Sequence, residues 1–191
     1  IAYYDAGARN FYLSKRINRE IRTPKDLEGL TIRVQQSKTA IRLMEVLGAK
    51  PVPIPFGELY TALDTGAVDG AENNPPSLFT TRQYEVSSSY SISEHTVIPD
   101  VLIMSRDVWE RLTPEEQKWV KESAIASSHY QRGLWQAEEE KNIAEMEKSG
   151  LKVVRDVNKA AFRAKAQEIY NDEKFREPSF QDLIRRIQEV K

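Results

Sequence analysis

Residues 30–73, LTIRVQQSKTAIRLMEVLGAKPVPIPFGELYTALDTGAVDGAEN, switch repeatedly between two periods. Leu30-Thr31-Ile32-Arg33-Val34 carries β-branched residues in alternation, and Ala40, Leu43, Met44 and Leu47 then recur at helical spacing until Gly48. Pro51-Val52-Pro53-Ile54 is a second extended piece. Leu59, Tyr60 and Leu63 open another helix that Gly66 ends, and Val68 to Glu72 predicts a third strand. Strand, helix, strand, helix, strand at this spacing is a βαβ pattern, which predicts an α/β fold with a mostly parallel sheet flanked by helices. Ligands in such sheets sit beyond the carboxyl ends of the strands, where Arg33 and Asn73 both fall.

The flanks extend this pattern. Thr23-Pro24-Lys25-Asp26 is a helix start with Pro at the first helical position, and Gly29 stops it. His95 to Ser105 reads as a longer extended segment interrupted by Pro99, an edge strand or one that changes partners. Thr113-Pro114-Glu115-Glu116 is a capping box opening a long helix that runs to Met146. Trp119, Ser123, Ser127, Tyr130, Leu134 and Ala137 mark one face of it, wide enough to be core. A short strand from Leu151 to Val154 and helices over 160–170 and 180–190 complete the reading.

At 191 residues the chain is long for one compact domain and short for two, which predicts one domain plus a partial second, or two small lobes. The longest apolar run falls well short of the roughly 20 residues that span a bilayer, so the chain is not expected to be membrane-embedded. Its 28 basic and 29 acidic side chains nearly cancel, in each half as well as overall, which argues against nucleic acid or an anionic membrane as partner. The lack of cysteine removes thiol nucleophiles, thiolate metal sites and disulfides, and fits any compartment. The chain opens at Ile1-Ala2-Tyr3-Tyr4 with no Met and no charged-then-apolar leader, so a secretory signal is expected either to have been removed or never to have existed, and the start does not give the compartment.

The motifs G-x-S-x-G, G-x-x-x-x-G-K and H-E-x-x-H do not occur. His95 and His129, the two histidines, each lack a second ligand nearby and read as structural, so no metal or other cofactor is expected. Glu138-Glu139-Glu140 reads as a solvated helix face. Asp69 and Glu72 are the one carboxylate pair whose turn position makes acid–base chemistry worth naming. Arg33, inside an apolar strand, must snorkel, pair with a buried carboxylate or present its planar fork to a ligand anion. Arg9, in Gly7-Ala8-Arg9-Asn10-Phe11, is either a second anion contact or a surface arginine. Phe56 is a core ring or a ligand cover in a βα loop, and Asn73-Asn74 is a turn or a pair of ligand amides.

Taken together, these residues stand in an ordered set. L-x-x-L-x-I-R-V (27–34), G-A-x-P-x-P-x-P-F (48–56), E-L-Y-x-A-L-x-T-G-A-V-D-G-A-E-N (58–73) and Y-E-V (84–86) resemble the solute-binding proteins of tripartite ATP-independent periplasmic (TRAP) transporters, dicarboxylate type. R-T-P-x-D-L (22–27) and R-x-x-P-E-E-Q (111–117) extend the resemblance over essentially the whole chain. It implies a two-lobed clamshell with a sheet in each lobe and a long helix spanning both. It also implies a carboxylate held bidentately by Arg33, with Arg9, Asn73 and Phe56 as further contacts. Asn74 is added as a substrate contact on the strength of its neighbour alone.

The segment Arg16-Ile17-Asn18-Arg19-Glu20-Ile21 looks longer than the family's form and reads as a loop insertion. The family's opening strand and helices have no counterpart before Ile1, so the chain is expected to represent the latter two-thirds of such a protein.

The reading is therefore a noncatalytic, periplasmic binder that hands a small carboxylate to membrane permease subunits, with the paired amides favouring a sugar acid such as a uronate. Residues 1–97 are expected to form the substrate-binding lobe. Residues 98–150 would supply a hinge-crossing strand, helices of the other lobe and the spanning helix, and residues 151–191 a C-terminal strand and helices. The rival is an α/β enzyme acting on a sugar acid through Asp69 and Glu72. A third reading is a helical interaction module on residues 114–148.

Overall fold

The computed structural model describes residues 1–190. Its centre is a six-stranded mixed sheet of order β4-β3-β5-β2-β6-β8. Strands β2 (Ala8–Ser14), β3 (Thr31–Val34), β4 (Lys50–Pro53), β5 (Gly70–Asn73), β6 (Ser87–Val97) and β8 (Lys152–Val154) build it. Three of its five pairings are parallel, β3 with β4, β3 with β5, and β6 with β8; β2 runs antiparallel to both β5 and β6. A separate antiparallel ribbon joins β1 (Ala2–Tyr4) to β7 (Asp100–Leu102).

Helices α1 (Lys38–Leu47) and α2 (Leu59–Thr65) cover opposite faces of this sheet. Alternation along the strands makes that possible. Phe11, Leu13, Ile32 and Val34 point to one face and pack with Leu43, Met44 and Leu47 of α1 and with Phe162 of α6 (Lys159–Ala166). Tyr12, Ala71 and Tyr90 point to the other, against Leu59 and Leu63 of α2, Leu78 of α3 (Pro75–Thr80) and Met146 of the long helix. Gly48 (φ 95°) ends α1 and Gly66 (φ 80°) ends α2, each in the left-handed conformation that a side chain would disfavour. Strand β3 lies between the two strands that these helices lead to, so the direction of winding reverses there.

The long helix α5 (Pro114–Lys148) follows the short α4 (Arg106–Trp109), and its 35 residues start at the expected capping box. The Thr113 N–H donates to Glu116 Oε2 at 2.8 Å, and the Glu116 N–H donates to Thr113 Oγ1 at 3.3 Å. Its buried positions are Ala124, Ser128, Asn142 and Met146. Trp119 is 56% and Tyr130 72% exposed, and Leu134 is exposed too, which corrects the expectation that their face is core. The helix packs against β1, α3 and β8, and the face turned to them carries the buried positions. No helix among the described residues is long and apolar enough to cross a membrane.

Several boundaries shift. The third strand starts at Gly70, because the Val68 N–H is bonded to Ala62 and closes the helix exit instead. The extended run placed at His95–Ser105 is two strands, β6 beginning eight residues earlier at Ser87 and β7 starting after Pro99. The terminal helix, α7, covers Pro178–Gln188.

Gly70 begins a central strand with neighbours on both sides, and a Cβ there would lie 2.5 Å from the Tyr12 carbonyl oxygen and 2.7 Å from Leu13 Cδ2. Backbone cannot yield as a side chain can. Gly70→Ala should therefore destabilise the fold by about 1–3 kcal/mol, read from the urea midpoint.

Candidate functional site

The carboxyl ends of β3 and β5, the loop after β4, the start of α3, the ribbon and α5 enclose a cleft of about 450 Å³. That volume lies within the range of about 300–1,000 Å³ usual for small-molecule sites. Arg33, Arg9, Asn73, Asn74 and Phe56 all line it, so the five residues singled out from the sequence meet in one place.

Arg33 occupies the third position of β3 and is only 3% exposed. Its Nε donates to the Ile54 carbonyl at 2.8 Å, and its guanidinium carbon lies 5.7 Å from the Phe56 ring centroid. Those contacts orient the fork. Among the described residues no carboxylate is within ion-pair distance of it. Burial disfavours the charged form and lowers the pKa of Arg33 from its ordinary value, though a guanidinium titrates so high that the group stays cationic. A buried, oriented cation without a matching carboxylate has the chemistry to accept an anion.

Arg9 is arranged differently. On β2, next to β5, it forms a buried ion pair with Glu72 through Nε and Nη2, the latter 2.8 Å from Oε1. Nη2 also donates to the Glu72 carbonyl (2.8 Å) and Nη1 to Asn73 Oδ1 (3.0 Å). Burial opposes the Arg9 charge, but the bonds to Glu72 outweigh it and hold the pKa above its usual value. Its charge is already matched inside the protein.

Asn73 Oδ1 accepts from Arg9 and from the Asn74 N–H (3.0 Å), and among the described residues the Asn73 Nδ2 has no acceptor. Asn74 is the N-cap of α3. Its Oδ1 accepts from the Ser77 N–H (2.8 Å), and its Nδ2 donates to the Ala6 carbonyl (2.9 Å). Pro75 and Pro76 follow in the first turn, where a missing N–H is tolerated.

The carboxylates Asp69 and Glu72 do not form a joint site. Asp69 Oδ2 accepts from the Thr31 N–H (2.7 Å) at the amino end of β3, away from the cleft, whereas Glu72 is buried against Arg9 and His95. His95 reaches it because a register shift between β2 and β6 bulges residues 92–95, with Glu94 in a left-handed conformation. The imidazole stacks on Phe11 at 4.0 Å. Its Nδ1 meets Ser93 Oγ at 2.9 Å, and its Nε2 lies 3.8 Å from Glu72 Oε2. A smaller cavity of about 220 Å³ lies on this side, sharing Arg9, Gln35 and Ile98 with the cleft. His129 is exposed on α5, and no cluster of three or more metal-ligating side chains occurs among the described residues.

Sequence reasoning missed Gln35, Ser77, Asp100 and Trp135, which also line the cleft. Gln35 follows Arg33 by two residues, the strand period, and could have been found. Asp100 and Trp135 reach the cleft only through the ribbon and α5, and nothing local marks them.

Residues 1–177 match the family model described as bacterial extracellular solute-binding protein, family 7. The chain is 30% identical over its whole length to the 2,3-diketo-L-gulonate-binding periplasmic protein of Escherichia coli, of which it spans 57%. Two solved TRAP periplasmic solute-binding proteins superpose on all of it. That of Xanthobacter autotrophicus, with bound β-D-galacturonate, is 42% identical with a TM-score of 0.90. That of Chromohalobacter salexigens, with bound D-glucuronate, is 32% identical with a TM-score of 0.93. The chain covers 62% of each.

Glu72→Gln should destabilise the protein by about 3–5 kcal/mol in urea unfolding, because it strands a buried arginine charge. Stability should also fall with acid in two stages. Burial holds the His95 pKa below its ordinary value near 6.5, so below that pH the unfolded chain takes up a proton that the native one refuses. Burial raises the Glu72 pKa, but His95 and Arg9 more than offset this, and the carboxylate stays ionised below its usual range, losing its contribution only at lower pH. His95→Gln should remove the first stage, between about pH 7 and 5, from the urea midpoint and leave the second.

Proposed function

The chain belongs to bacterial extracellular solute-binding protein family 7, and we propose that it captures a small sugar acid of the uronate class, outside the cytoplasm, for a TRAP-type membrane permease. The observation that carries this reading is the Arg33 guanidinium, buried and oriented at the carboxyl end of β3 with no carboxylate beside it. A ligand carboxylate completes that fork bidentately. Phe56 steadies the cation from one side, and the Asn73 Nδ2 adds a donor.

Arg9 and Asn74 act in this proposal mainly as wall residues. Arg9 orients the Asn73 amide, and Asn74 holds the first turn of α3 against the cleft. Galacturonate and glucuronate in the two solved relatives support the sugar-acid class, as does the name of the diketogulonate-binding relative.

The role is noncatalytic, since Asp69 and Glu72 are occupied in separate backbone and ion-pair contacts. Residues 1–97 supply most of the binding lobe, 98–150 the crossing to the other lobe and the spanning helix, and 151–191 return to the first lobe, where β8 pairs with β6. Closure of the two walls is then driven by a ligand that touches both. The periplasm is the compartment proposed, in line with the relatives' names.

Calorimetry with D-galacturonate and D-glucuronate tests the reading. Arg33→Ala should weaken binding by about 2–5 kcal/mol, tens- to thousands-fold. Arg33→Lys should recover only part, because an ammonium loses the bidentate geometry and the stack on Phe56. Unchanged affinity in Arg33→Ala, or conversion of the sugar acid to a product, would overturn it.

A further inference from the structure

Among the described residues three ionisable side chains line the cleft: Arg9, Arg33 and Asp100. Their charges are not equivalent. Arg9 is charge-matched by Glu72, and its bonds to Glu72 and Asn73 use four of its five N–H donors, so it brings the cleft no unmatched positive charge for a second anion. Arg33 is the unmatched cation. Asp100, the first residue of β7, has neither an ion-pair nor a side-chain hydrogen-bond partner among the described residues. It reaches the cleft from the ribbon, on a different wall from the sheet that carries Arg33, and Trp135 of α5 adds aromatic surface to the lining.

A carboxylate facing a ligand accepts hydrogen bonds and donates none, so it suits hydroxyl groups and repels another carboxylate. The cleft therefore pairs one anchor for an anion with one acceptor for a polyol. A diacid would set its first carboxylate on Arg33 and, among the described lining residues, meet no unmatched cation for the second, only Asp100.

We propose that Asp100 reads the hydroxyl-bearing end of the ligand and rejects a second carboxylate, so that the cleft selects monocarboxylate hydroxy acids over diacids of the same carbon skeleton. The inference rests on Arg33 being the carboxylate anchor. It makes Asp100 a specificity-determining residue that acts through repulsion as much as attraction.

D-Galactonate and galactarate test it, since both are open-chain six-carbon acids and differ only in a terminal hydroxymethyl or carboxylate. Calorimetry on the wild-type protein should give at least about tenfold tighter binding of galactonate. Asp100→Asn keeps the shape and an acceptor oxygen but removes the charge, and should bring the ratio of the two affinities close to one. Asp100→Ala should lose preference for galactonate in the same way. In the wild-type protein raised ionic strength should narrow the ratio, because an exposed charge is screened.

D-Galacturonate is the control. If it binds in an Arg33-dependent manner while the galactonate-to-galactarate ratio is unchanged in both Asp100 variants, the role of Asp100 is overturned and the proposed function stands. If neither uronate nor galactonate binds in an Arg33-dependent manner, both fall together.

Discussion

The buried ion pair between Arg9 and Glu72 sets the charge that the cleft presents. Adjacent antiparallel strands place the two residues together, with Phe11 opposite Glu72 and Asn10 opposite Asn73. Burying both charges is expensive, and further hydrogen bonds to Asn73 and to the Glu72 carbonyl offset that cost. The pair cancels one arginine and leaves the other. Without Glu72 the cleft would present two unmatched cations; with it, Arg33 is the one arginine of the described lining without a carboxylate beside it.

The sheet topology makes that isolation possible. Strand β3 is flanked by β4 and β5, and the helices that connect them lie on opposite faces, so their chain crossings diverge at its carboxyl end. This is the switch point at which α/β sheets bind ligands. Arg33, Phe56 and Asn73 come from three separate strand ends, and they converge because those ends are neighbours in the sheet. The N-cap at Asn74 then fixes the direction of α3. The bulge in β6 folds His95 inward against Glu72 and Phe11, closing the back of the site without water-exposed charge.

Much of this is legible in the sequence. The alternation of periods over residues 30–73 and the glycines that end each helix predicted the βαβ arrangement, and the strand-end rule marked Arg33 and Asn73. The long helix was found from its capping box, whose two reciprocal bonds need only residues three apart. Its orientation was not. Trp119, Tyr130 and Leu134 satisfied the helical period and suggested core, yet the buried face is made by Ala124, Ser128, Asn142 and Met146, residues whose size or polarity gives a weaker pattern. Periodicity shows that a helix has a face; the neighbours choose which one is buried.

The sequence by itself determined which segments form strands and helices, where the βα loops lie, and that arginine, asparagine and an aromatic ring stand at strand ends. Those are properties of residues close in the chain, set by local sterics and hydrogen bonding. Only the tertiary structure decided which arginine is neutralised, that Asn74 is spent on a helix cap, that Asp69 and Glu72 are apart, and that Asp100 and Trp135 share the cleft. The reason is physical. Charge matching depends on distances between atoms far apart in sequence, 63 residues for Arg9 and Glu72, and strand pairing across the sheet sets those distances.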